Sequence, residues 1–102
     1  MTINQLRQYR KLKGRKLLLE EELHEAETDT EVKRIKKQID LLSADIAGVE
    51  KYIETIDDGI IADMVKAHYI HGRSWTSIAH CMGGGNTDES VRKQCHRYIK
   101  KS

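Results

Sequence analysis

The chain has no proline and no phenylalanine, and only two cysteines in 102 residues. Two cysteines are too few for a disulfide-stapled scaffold. With no proline, nothing of that kind interrupts a long helix. Aromatic residues are scarce as well, with one tryptophan and four tyrosines. No apolar run approaches the roughly 20 residues that a membrane-spanning helix needs, so no membrane partner is expected. Met1–Lys16 is basic and lacks an apolar stretch, so no secretory signal is expected either. A chain this short buries too little core to surround a deep catalytic cleft. What is plentiful is Lys, Glu, Leu and Ile. Charged residues make up 33% of the chain, above the roughly 25% of an average globular protein. That composition points to an all-α fold.

The formal net charge of +2 hides an uneven distribution. Residues 1–57 carry eleven Lys/Arg against twelve Asp/Glu, whereas residues 58–102 carry seven against four. A basic block without acids runs from Arg7 to Lys16, and an acidic stretch follows from Glu20 to Glu31. The last fifteen residues hold Arg92, Lys93, Arg97, Lys100 and Lys101 against Asp88 and Glu89. Basic clusters beside neutral or acidic stretches suit a polyanionic partner.

Val32, Ile35, Ile39, Leu42, Ile46, Val49, Ile53 and Ile56 alternate spacings of three and four. This is the a/d seam of a coiled coil. Tyr9, Leu12, Lys16, Leu19, Leu23 and Ala26 repeat the pattern more weakly, with Lys16 interrupting it. Between the two seams, Thr28 and Glu31 have the spacing of a capping box. Residues 2–27 and 29–56 therefore read as two antiparallel helices, with one long helix in a parallel dimer as the alternative. Leu17, Leu18, Leu41 and Ile3 add apolar surface outside the seam and favour a second copy of the chain. The Arg7–Lys16 block reads first as a solvated helix face, with phosphate contact as the alternative.

Asp57-Asp58-Gly59 breaks the pattern and offers a new N-cap. Ile60, Ile61, Met64, Val65, His68 and Tyr69 continue at helical spacing to Gly72. Ser74 caps a short helix carrying Trp75, Ile78 and Ala79, which ends near Met82. Gly83–Gly85 form a turn, and Asn86 or Thr87 caps the last helix. There Val91, Cys95, Tyr98 and Ile99 share one face, so Tyr98 is expected in the core. The opposite arc holds Glu89, Ser90, Arg92, Lys93, His96, Arg97 and Lys100. The last two helices read as a helix-turn-helix. Residues near the start of the final helix would reach base edges, while Arg97, Lys100 and Lys101 would meet phosphates. The helix N-termini at Ser74 and Thr87 are further phosphate-contact candidates.

The string from Tyr69 to Lys101 resembles the region 4 helix-turn-helix of bacterial sigma factors. It is similar in particular to small phage regulators of the ArpU/RinA type. The features that carry the resemblance are Tyr69-Ile70 with Gly72, Ser74-Trp75, Ile78-Ala79, the glycine turn, and Val91-Arg92. The resemblance implies that Asp88, Glu89, Arg92 and Lys93 touch promoter bases. The three-glycine turn departs from the shorter sigma pattern, and the polymerase-gripping and promoter-melting regions have no counterpart. The expected whole is a helical hairpin over 1–57 and a DNA-binding helix-turn-helix domain over 58–102. It would be a transcriptional regulator in the cytoplasm of a bacterial host, phage or prophage encoded. Its partners would be double-stranded DNA, a second copy through the hairpin, and RNA polymerase as a candidate. A phage small terminase subunit, a pure protein-interaction module and an RNA binder are the other readings.

His68, His71, His80, Cys81, Cys95 and His96 invite a metal check, but none of the usual paired zinc spacings occurs. Gly83–Gly85 lacks the Lys-Ser/Thr of a phosphate-binding loop. Ser74 or Ser77 with His80 lacks an orienting acid. No cofactor, metal or catalytic residue is expected.

Overall fold

The computed structural model describes residues 1–101. Five α-helices account for most of the chain, and no strand occurs among the described residues. They are α1 (Ile3–Glu25), α2 (Asp29–Glu54), α3 (Gly59–Val65), α4 (Trp75–Met82) and α5 (Asp88–Lys101). A π-helical turn, Lys66–Ile70, extends α3. The radius of gyration is 17.0 Å, whereas a compact chain of this length would have about 13 Å. The excess reflects an elongated shape, 58 Å long and 25 Å by 18 Å across.

The length comes from α1 and α2. They run in opposite directions. Arg34 lies 3.8 Å from Glu22 near the link between them, and at the far end the Tyr9 hydroxyl donates to Glu50 Oε2 at 2.8 Å. Burial and this carboxylate push the Tyr9 hydroxyl up to about 12. Ile35, Leu42, Ile46, Val49, Ile53 and Ile56 are buried, while Val32 and Ile39 are partly so. Lys16 stays half-buried at its apolar register position and pairs with Glu20 at 3.9 Å.

The caps hold one correction, at α2. At α1, Thr2 and Gln5, which have the Thr-x-x-Gln spacing, form a complete capping box. At α2, the Thr28 hydroxyl accepts from the Glu31 amide at 3.2 Å, but the Glu31 carboxylate does not return the bond. An exposed glutamate gains little there, because water satisfies the free amide equally well.

One apolar cluster joins the two ends of the sequence. Leu6 and Tyr9 of α1 and Ile46, Val49, Ile53 and Ile56 of α2 share it with Val65, Tyr69, Ile78, Val91, Cys95 and Ile99. Ile3 also packs against this cluster. It is not outward-facing surface beside Leu17 and Leu18, because the C-terminal helices cover the start of α1.

The path from α3 to α4 depends on backbone that sequence periodicity misses. After the π turn, the His71 amide donates to the Lys66 carbonyl and the Arg73 amide to the Ala67 carbonyl. Gly72 closes the turn at φ +71°, and a Cβ there would meet the Arg10 guanidinium. A side chain in the left-handed region costs about 1–2 kcal/mol before any clash. Gly72→Ala should therefore lower the melting temperature by roughly 5–10 °C. Gly48 sits within α2 with open space around its Cβ position, so Gly48→Ala should raise it by a few degrees. Thermal unfolding followed by circular dichroism reads both. Equal shifts of one sign would contradict the turn geometry.

Candidate nucleic-acid interface

Ser74 opens α4 by accepting from the Ser77 amide at 3.1 Å. Trp75 follows, and its ring stacks on His68 at 3.8 Å between centroids and meets Tyr69 and His96 edge-on. The extra residue of the π turn brings His68 to this position. Its Nδ1 lies 2.7 Å from the Arg73 carbonyl. Trp75 is thus half-buried structural filling that ties α4 to the π turn and α5.

Gly83, Gly84 and Gly85 all have positive φ, 63°, 60° and 79°. Three consecutive residues at positive φ make this sharp reversal one that glycine alone adopts readily. Asn86 Nδ2 then donates to the Gly83 carbonyl at 2.8 Å. Thr87 rather than Asn86 caps α5: its Oγ accepts from the Ser90 amide, and the Ser90 Oγ accepts from the Thr87 amide. Ser90 is thus committed to the cap and half-buried.

Val91, Cys95 and Ile99 turn the inner face of α5 into the core, essentially without exposure. Burial pushes the Cys95 thiol up to about 11, so it behaves as a small apolar side chain. Tyr98 departs from the expected core role. It is half-buried, and its hydroxyl donates to Asp57 Oδ1 at 2.6 Å and accepts from the Asp57 amide at 3.3 Å. That bond holds Asp57 below the usual carboxylate range. The reason is geometric: Tyr98 precedes Ile99 on the helix, so its ring only edges the core while its polar tip reaches water.

On the outer arc, Arg92, Lys93, His96, Arg97 and Lys100 come together around a shallow depression of about 320 Å³. Arg92, Lys93, Arg97 and Lys100 are exposed. Lys93 lies 2.8 Å from Glu89 one turn earlier, and this ion pair holds Glu89 below its ordinary value. Asp88 and Glu89 lie in the exposed first turn, outside the depression, as do the capping residues Ser74 and Thr87. His96 differs from the sequence expectation of an outward side chain. It is half-buried, and its Nε2 lies 3.1 Å from the Tyr69 hydroxyl. Desolvation first, then the charges of Arg92, Arg7, Lys100 and His68, push its pKa down.

The presence of Arg7 among those charges marks what sequence reading missed. Arg7 also bears on His68 and Tyr69, and the Arg10 guanidinium lies against Gly72. Arg7 therefore acts on α5 and Arg10 lies against the turn before α4, rather than both standing on a remote solvated face. The i, i+3 spacing of the two was legible. Their nearness to residues some sixty to ninety positions later was not.

Among the described residues, no three His, Cys, Asp or Glu side chains converge as a metal site. Cys81 is exposed with its sulfur 2.9 Å from Arg73. No helix is long and apolar enough to cross a membrane. Comparison with protein-family models, with curated proteins and with solved structures finds no match to this chain.

Proposed function

We propose that this chain is a sequence-specific double-stranded DNA-binding transcriptional regulator, with α4, the glycine turn and α5 serving as a sigma-like helix-turn-helix. One observation carries the reading. The outer arc of α5 is a cluster of cationic side chains, and its inner arc is locked into the core beneath a separately capped short helix. A helix held rigidly by one face can present the other to a major groove. The resemblance to phage regulators adds the setting: a phage or prophage gene acting in the bacterial cytoplasm, with RNA polymerase as a candidate partner.

Selection from a random duplex pool at two salt concentrations tests this. The expected result is an enriched motif that persists at the higher salt. Motif-free binding that vanishes with modest salt would reduce the basic face to a non-specific surface.

In the same reading, α1 and α2 form a dimerisation arm. Leu17, Leu18 and Leu41 are 63%, 67% and 62% exposed, far more than apolar side chains at the seam. A two-fold axis at this level would bring these leucines of two copies together. The expected solution mass is twice 11.8 kDa. Leu17→Glu with Leu18→Glu should halve it without loss of helix. A monomeric parent chain would remove the arm's role, and a ring of many copies would favour the terminase reading.

A further inference from the structure

The start of α1 borders the end of α5, and its third turn borders the linker that opens α4. Met1, Thr2 and Ile3 line a depression together with Ile99 and Lys100. One turn later comes Arg7, whose charge bears on His96, and one turn after that Arg10, whose guanidinium lies against Gly72. The line Ile3, Arg7, Arg10 therefore runs from the end of α5, across the π turn, to the linker that opens α4. Arg73 lies in that linker, bridging to Ser77 and Cys81, and the exposed cap of α4 follows at Ser74. The ion pairs among the described residues are Lys16–Glu20, Arg34–Glu22 and Lys93–Glu89. None of them neutralises Arg7, Arg10 or Lys100. The imidazoles between these cations are themselves pushed toward the neutral form. Uncompensated like charge gathered on one side of a small fold opposes folding unless a polyanion meets it. Guanidinium groups suit that role because they hold phosphate oxygens bidentately.

We infer that Arg7 and Arg10 of α1 grip the DNA sugar-phosphate backbone beside the groove that α5 enters. The inference rests on the DNA-binding reading of α5 and extends it: the interface is built from both ends of the sequence. The arm then contributes to DNA affinity directly as well as through pairing of copies. Backbone contacts carry no base information, so these arginines set affinity and register but leave the motif to α5.

The test uses the full chain with Arg7→Gln and Arg10→Gln together, against the duplex chosen by selection. Each lost phosphate contact removes about 0.9 from the slope of log K against log salt. The slope should fall by about two, and affinity by roughly ten-fold or more at 0.1 M salt, alike for matched and unmatched duplex. The enriched motif, the melting temperature and the solution mass should stay as in the parent. Lys36→Gln with Lys37→Gln removes the same charge from the far end of the arm and should leave the slope unchanged. A selected motif with a parental slope in the Arg7/Arg10 variant overturns the clamp alone, as does an equal fall in the Lys36/Lys37 control. A parent chain that selects no motif removes the DNA reading and the clamp with it.

Discussion

Arg92→Ala together with Lys93→Ala should abolish the preference for the selected motif while leaving the fold intact. Both side chains are exposed in the first two turns of α5, the part of a recognition helix that reaches base edges. A good bidentate base contact discriminates by about 1–3 kcal/mol, so losing two should cost roughly 100-fold or more on matched duplex. Affinity for unmatched duplex should fall much less. The structural cost is small, because the Lys93–Glu89 pair is solvent-exposed and such pairs contribute about 0–1 kcal/mol. The melting temperature should therefore stay within a few degrees of the parent. Arg97→Ala with Lys100→Ala provides the contrast, weakening all sequences alike and lowering the salt slope. An unchanged motif in the Arg92/Lys93 variant would remove those two residues from base readout.

Leu6→Ala should destabilise the whole chain by about 3 kcal/mol, a cost set by lost burial plus the cavity left behind. Leu6 is fully buried and belongs to the cluster that also holds Val91, Cys95 and Ile99. For a fold whose total stability is about 5–15 kcal/mol, the melting temperature should drop by more than 10 °C. The informative readout is the single tryptophan. Trp75 lies at the junction of α4, the π turn and α5, so its fluorescence reports on the C-terminal helices. Helix content, by contrast, reports chiefly on the long α1 and α2. In Leu6→Ala both transitions should move down together, because one core serves both ends. In Leu23→Ala, half-buried near the far tip of the arm, the helix signal should move more than the tryptophan signal. A tryptophan transition indifferent to Leu6 would mean that residues 58–101 hold together without α1.

The long seam of α2 was legible because its physics is local. Seven apolar residues of α2 and Ile56 just beyond it, at alternating spacings of three and four, dictate one buried stripe whatever else the chain does. The caps at Thr28, Asp58 and Ser74, the glycine reversal and the buried face at Val91, Cys95 and Ile99 were legible for the same reason. Each depends on residues within four or five positions of one another. The capping box at Thr2 and Gln5 is equally local.

His96, Tyr98, Ile3 and Arg7 were not legible in this way. Helical periodicity assigns each a direction, but what stands in that direction is set by another element. Periodicity points His96 outward on α5, but the π turn meets it with Tyr69 and leaves it half-buried. The turn itself adds a residue that regular spacing does not reveal. Ile3 and Arg7 look like free arm surface until α5 packs beside them. The sequence by itself thus determined the helices, their ends, their apolar stripes and the cationic arc of α5, all through contacts between near neighbours. Only the tertiary structure decided which stripes share one core, and that α1 lies beside α5. Such contacts join residues up to some ninety positions apart, and no local spacing encodes the choice among the partners that an apolar stripe could accept.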